Sequence, residues 1–215
     1  MEHVKFALYL LVALVPSLTL HEYAHALLAD KLGDPSPRRW GRLTLNPRPL
    51  VDPFGSVILP GLILVLVASG ASSLLPVFAY ARPMPLDPSY LRNPARDQVL
   101  VWLSGPSANL GLAAAAGIVL RVGVTGEAAD FAYAWLVVNT FMFVFQLMPV
   151  PGLDGAKILA RYLPPRPREV YSNLDQYLVL FMLVIFFLLA APLLSIVDAL
   201  ASRVCSVLAG GSAVC

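Results

Sequence analysis

The chain has 215 residues, of which 58% are hydrophobic and 13% charged, and its formal net charge is +2. A charged share about half that of an ordinary soluble domain excludes a disordered chain, a nucleic-acid-binding arm and a conventional soluble enzyme. Its two cysteines, Cys205 and Cys215, lie near one end and make neither a disulfide framework nor a CxxC metal site.

Five stretches reach or approach the roughly 20 apolar residues that a helix needs to cross a bilayer. They are residues 4–29, 54–80, 98–122, 128–150 and 177–201. Backbone groups in hydrocarbon must be satisfied within their own segment, so each reads as a helix. The first begins almost at Met1 behind a barely basic MEHVK. It contains a small-residue Ala24-His25-Ala26 pattern, but cleavage there would destroy the chain's most unusual motif, so a retained helix is expected. Between the first two stretches, residues 31–53 carry Lys31, Arg38, Arg39, Arg42, Arg48 and five prolines. Loose alternation over residues 38–46 predicts a strand or short hairpin at the membrane surface. The second stretch is interrupted at Pro60-Gly61, Ser69-Gly70 and Pro76, and reads as a broken helix or a shorter span followed by an extended piece near residues 77–84. Residues 82–97 form a Pro-rich loop, and residues 152–176 begin as a helix and end in a loop.

The fold class expected is therefore an all-α membrane protein. It is a polytopic bundle of about five to six transmembrane helices with a short extended or β connector between the first two segments. One domain spans residues 1–215, with a core over about 4–162 and an additional C-terminal helix over about 177–201.

The first segment places His21, Glu22 and His25 inside an apolar run, LVPSLTLHEYAHALLAD. Each ionisable group there costs roughly 2.5–3.5 kcal/mol on insertion scales, so three together need a reason. HEYAH fits HExxH. On a helix His21 and His25 stand one turn apart on one face and converge on one metal ion, and Glu22 is placed to act as general base on a metal-bound water. The only other histidine is His3. A zinc ion with three protein ligands and an open position therefore takes a carboxylate as its third, or less plausibly a cysteine. Asp154 is distinctive among the acids, since it follows an apolar run and sits in PVPGLDG, where prolines and glycines break the helix. Locally, it is placed equally well to ligate or to cap a helix over residues 155–162.

HEYAH followed much later by PVPGLDG resembles the site-2 protease family of intramembrane zinc metalloproteases. GRLTLNP and DPFGS in the connector, PMPLDPSYLRNPARD and SGPSANL resemble its small bacterial branch without a PDZ domain. The resemblance runs from about Leu18 to about Tyr162. It implies that His21, His25 and Asp154 ligate one zinc ion per chain and that Glu22 is the general base. It also implies a multi-pass protein of a bacterial cell membrane, whose partners are a membrane-protein substrate and the lipid bilayer, with no nucleic acid. Gly105, Pro106 and Asn109 match the family's GPxxN element. Gly105 and Pro106 admit close helix packing, and Asn109 binds substrate, orients a ligand or makes an interhelical hydrogen bond. In the family an asparagine usually stands eight positions before the metal aspartate. Here that position is Gln146, with Asn139 as a substitute two turns earlier, so Asn109, Asn139 and Gln146 are the candidate substrate-binding residues.

The activity this implies is zinc-dependent endopeptidase cleavage of transmembrane or membrane-proximal segments. The alternative is a non-proteolytic membrane metal-binding protein, a transporter or sensor, which would place further polar residues along several segments. Water for hydrolysis is expected to enter through the break at residues 149–155 and the connector at residues 31–53. Five simple crossings would leave Asp154 on the side opposite to the two histidines. Either the second stretch does not cross, or it crosses twice, or the site lies at mid-bilayer.

Overall fold

The computed structural model describes residues 2–68 and 79–177, together with residues 180, 195, 199–200, 202–204 and 206–208. The C-terminal helix expected over residues 177–201 and the end of the second apolar stretch lie largely outside these residues. The helices run in the order α1 (Glu2–Leu32), α2 (Ser36–Arg39), α3 (Leu59–Ala68), α4 (Pro94–Arg121), α5 (Glu127–Gln146), α6 (Asp154–Tyr162) and α7 (Pro165–Asn173). Among the described residues there is no strand, and α1, α4 and α5 are the helices long and apolar enough to cross a membrane. With the apolar composition, this makes the chain a helical membrane protein.

At about 1.5 Å per residue, the 31 residues of α1 extend about 46 Å, longer than a ~30 Å hydrocarbon core. Its two faces differ. Val4, Leu8, Val12 and Val15 recur at helical spacing and are exposed, the pattern of a lipid-facing stripe. Ala7, Leu10, Ala13, Leu14, Ser17, Leu18, His21 and His25 on the other face are buried. Two hydroxyls on α1 are satisfied within the helix: Ser17 donates to Ala13 O and Thr19 to Val15 O, each at 2.7 Å. Small residues line the seams, with Ala7, Ala13, Ala113 and Ala134 wholly buried, so the helices approach closely.

The helix directions follow from cross-links along the bundle. Lys5 pairs with Glu127 at 2.7 Å, Phe6 stacks on Tyr133, and Asn139 donates to Ser17 Oγ at 2.9 Å, so α1 and α5 run parallel. His25 bonds to Val101 and His21 to Asn109, so α4 runs antiparallel to α1. The end of α1, the start of α4 and the end of α5 therefore share one end of the bundle. The chain between α1 and α4 leaves from that end and returns to it, because Arg92 N donates to Leu32 O (3.4 Å) and Asp87 N to Asp34 Oδ2 (2.8 Å). Both ends of this connection thus lie at the end of the bundle where α5 also ends, which removes the obstacle to joining Asp154 to the histidines.

The strand expected over residues 38–46 is not formed. Residues 38 and 39 end α2, and the chain then turns on Gly41 (φ 67°), with Arg42 N bonding to Pro37 O and Thr44 N to Arg42 O. Pro35 and Pro37 start the helical turn that takes in residues 38 and 39, Pro47 and Pro49 start a second one, and Arg42 Nη1 fastens the loop between by donating to Pro49 O at 2.7 Å. The second stretch begins as a single π-helical segment, residues 53–58, and continues into α3. Asp52 caps that segment by accepting from Phe54 N and Gly55 N. The described part of the extended piece, residues 79–84, is non-helical and lies along the segment's start, with Tyr80 N bonding to Gly55 O and Arg82 N to Leu50 O.

The joint at the end of α1 is built by KLGD. Gly33 (φ 117°) supplies the left-handed turn, with Gly33 N bonding to Asp30 O and Asp34 N to Ala29 O, the paired bonds of a Schellman C-cap. Gly33 also admits Tyr90 O, which a β-carbon there would approach to 2.8 Å. The wholly buried Asp34 carboxylate accepts from Ser36 N (2.9 Å) and Asp87 N (2.8 Å), tying the connector to the Pro-rich loop. Asp87 in that loop accepts from the hydroxyl and amide of Ser89, which hold its carboxyl below the usual range. Asp34→Ala is expected to cost about 1–3 kcal/mol, because two partly buried amides lose a charged acceptor. Asp34→Asn is expected to cost less. Unfolding midpoints in detergent check this, and equal midpoints for Asp34→Ala and the parent would refute it.

Candidate metal centre

HEYAH lies in the part of α1 that faces α4 and α5, and the helix repeat brings His21 and His25 together with ring centroids 4.6 Å apart. Their Nε2 atoms lie 3.0 Å from each other. Asp154 Oδ2 lies 2.9 Å from His25 Nε2 and 3.1 Å from His21 Nε2. All three residues are buried and form the one group of potential metal-binding side chains found among the described residues.

The surrounding hydrogen bonds fix what those atoms are. Val101 O is an acceptor and lies 2.7 Å from His25 Nδ1, so that nitrogen carries a proton. For His21 the argument runs through three side chains. Asn139 Nδ2 donates to Trp135 O and to Ser17 Oγ, both at 2.9 Å, so Asn139 turns its oxygen toward α4. Asn109 Nδ2 donates to that oxygen at 2.9 Å, which leaves Asn109 Oδ1 facing His21 Nδ1 at 2.6 Å. In its neutral form each imidazole is thereby protonated at Nδ1 and presents a bare Nε2 lone pair. Two such nitrogens and a carboxylate oxygen about 3 Å apart, away from water, repel one another unless a cation or proton lies between them. Two imidazoles plus one carboxylate is also the donor set of catalytic zinc sites with three protein ligands, and Nδ1 partners that fix ring orientation accompany such sites. The residues present fit zinc.

Two glycines let the elements approach. A β-carbon on residue 105 would lie 2.3 Å from His25 Nε2 and 2.7 Å from His21 Cε1, so α4 passes the imidazoles only with Gly105 there. A β-carbon on residue 155 would lie 2.1 Å from Leu147 O, so Gly155 allows α6 to start against the end of α5. PVPGLDG folds as its composition dictates. Leu153 N bonds back to Val150 O across Pro151-Gly152, with Gly152 at φ 92°, the pattern of a type II turn. Asp154 opens α6 but does not cap it: its Oδ2 faces the imidazoles and its Oδ1 faces Lys157 Nζ at 3.4 Å. Of the two local readings for this aspartate, the structure shows the one directed at the histidines.

A cleft of about 70 Å³ opens beside the cluster, with Glu22, His25, Tyr80, Gln146, Gly152 and Asp154 in its wall. Glu22 and Gln146 are thus at the cleft. Asn109 and Asn139 are wholly buried, and their bonds face His21, Ser17, Trp135 and each other. Of the expected break, Gly152 and Asp154 line this cleft, together with Tyr80, Ala81, Pro83 and Met84, and among the described residues none of 31–53 does. Lys157 and Trp102 were not singled out by the sequence. The Lys157 ammonium lies 4.0 Å from the Trp102 ring centroid, and Trp102 meets the His25 ring edge-on. Their only signal was helical spacing, Lys157 three residues after Asp154 and Trp102 three before Gly105.

These features define a helical membrane protein with a buried cluster of two histidines and an aspartate able to hold a metal ion. Known proteins place it more closely. YwhC of Bacillus subtilis is 35% identical over 188 residues, covering 83% of this chain and 80% of its own length. Rip2 of Mycobacterium tuberculosis is 33% identical over 178 residues, and Rip2 of Mycolicibacterium smegmatis is 34% identical over 172. The chain spans 63% and 60% of those two proteins. Each is described as a "putative zinc metalloprotease". The chain belongs to this zinc metalloprotease family. No family model and no solved structure matches it.

Gly105→Ala is expected to weaken zinc binding although it removes no donor, while Gly111→Ala, where a β-carbon meets nothing within 4 Å, leaves it unchanged. Asn109→Leu is expected to lower zinc affinity about 10–100-fold by freeing the His21 ring. Zinc content of detergent-purified protein and competition with a chromogenic chelator measure both. Wild-type affinity in Gly105→Ala would refute the close-approach argument.

Proposed function

We propose that the chain is a zinc-dependent intramembrane endopeptidase of the site-2 protease type. On this reading it is a multi-pass protein of a bacterial cell membrane that cuts transmembrane or membrane-proximal segments of membrane-protein substrates. The observation that carries the reading is the convergence of two bare imidazole nitrogens and a carboxylate, with Glu22 on the same cleft. Family membership and the three membrane-length helices support it.

His21, His25 and Asp154 would hold the ion. When bound, zinc supplies Lewis acidity that lowers the pKa of water and polarises a carbonyl. Glu22 takes the proton of the attacking water at its carboxylate and delivers it to the leaving amine nitrogen. Asn109 and Val101 O each hold a ring by its Nδ1, which turns both Nε2 atoms toward the ion. Gln146, in the cleft wall, presents an amide toward bound peptide. A substrate helix hides its carbonyls in hydrogen bonds, so a cleaved segment contains helix-weakening residues near the cut.

Glu22→Gln tests the reading on a tagged single-span reporter peptide with a Gly-Asn pair in its apolar segment. Cleavage is expected to fall by about 10²–10⁴-fold, the usual contribution of a general base, while zinc content stays that of the parent. Undiminished cleavage by Glu22→Gln would remove Glu22 from its role. Stoichiometric zinc with no cleavage of any such reporter by the parent would favour a non-proteolytic metal-binding protein.

A further inference from the structure

Beyond the cleft beside the cluster lies a second cavity of about 380 Å³, and the two share Pro83, Met84, Trp102 and Lys157 in their walls. With these walls in common the two lie side by side as a groove that runs from His25 outward along α6. Its charge is one-sided: Lys157, Arg161 and Arg168 line the outer part, and among the described residues no acidic side chain does.

The three cations are not equivalent. Arg168 is engaged in structure, with Nε donating to Ala160 O and Nη2 to Arg161 O and Leu163 O, closing the end of α6. Lys157 lies between Asp154 and the Trp102 ring. Arg161 has no carboxylate within ion-pair distance among the described residues, and its Nε is buried without a hydrogen-bond partner. A guanidinium that lines a cavity without an ion-pair partner offers N–H donors whose fork matches the geometry of a carboxylate.

We propose that the groove holds the substrate's extended chain on one side of the scissile bond, and that Arg161 binds an Asp or Glu side chain of that segment. The proposal rests on the endopeptidase reading above and names a feature of its substrates. Position sets the register. Asp154, Lys157 and Arg161 fall at i, i+3 and i+7, on one face of α6, so Arg161 stands about 10 Å further along the helix than Asp154. An extended chain covers that distance in about three residues. The acidic residue recognised therefore stands about three residues from the bond that is cut.

The test uses full-length protein in proteoliposomes and a series of single-span reporter peptides. The parent peptide carries no acidic residue, and its cleavage site is mapped by mass spectrometry. One Glu is then walked through five positions on each side of the cut. Expected is a KM about ten-fold lower for Glu at or next to the third position on one side, with kcat little changed. Arg161→Gln should erase that preference, and Arg161→Glu should transfer it to a peptide with Lys at the same position. An equal KM for every peptide, or a preference that persists in Arg161→Glu, overturns the proposal while cleavage of the parent leaves the endopeptidase reading intact. Failure to cut any peptide at full zinc occupancy overturns both. If Arg161→Glu changes the cleavage of all peptides alike and only in vesicles containing anionic phosphatidylglycerol, the groove serves lipid headgroups and the proposal falls.

Discussion

Three acceptor atoms within about 3 Å of one another, inside a helix bundle, form the arrangement on which the rest of the structure depends. Without a cation among them they repel, and the elements that carry them are pushed apart. With one, α1 and α6 are joined through groups that no apolar contact could align. Everything adjacent fits this need. Gly105 lets α4 come near enough to present the Val101 carbonyl and Asn109 to the rings. Asn139 and Ser17 extend the polar string across α5 and back to α1, so every donor in it ends on an acceptor. In an apolar surround a half-satisfied network of this kind would cost more than an apolar seam.

The turn before α6 matters for the same reason. Val150-Pro151-Gly152-Leu153 reverses the chain directly after α5, and Gly155 lets the new helix begin against the last carbonyls of the old one. Asp154 is thus held by backbone, not by a long side chain searching for its partners. Lys157 and the Trp102 ring then fix the second carboxylate oxygen, leaving the first for the imidazoles.

Much of this centre was legible in the sequence, because ionisable residues in an apolar helix announce their cost. His21, Glu22 and His25 stood out for that reason, and the scarcity of histidines turned attention to a carboxylate. Asp154 was harder, since helix caps and metal ligands use the same residue at the same kind of break. The part played by Asn109 could not be settled from spacing, because an amide serves a ligand, a neighbour or a substrate equally well until its partners are known. The connector differs from the expected strand because loose alternation over residues 38–46 imitates one, while the flanking prolines start helical turns and Gly41 reverses the chain. Bundle direction was hidden for a different reason. It depends on Asp34 and Leu32 meeting the loop before α4, contacts across more than fifty residues that no local pattern records.

The distance in sequence between the donors has a consequence for the making of the protein. His25 and Asp154 are 129 residues apart, and the aspartate comes after the last of the three long helices. A growing chain that has emitted α1 therefore carries His21, Glu22 and His25 without Asp154, and the cluster is complete only when α1, α4 and α5 have all been synthesised. Synthesis itself thus acts as a timer. The donor set for the ion is therefore completed in one late step, after α1, α4 and α5, which enclose it, have been made.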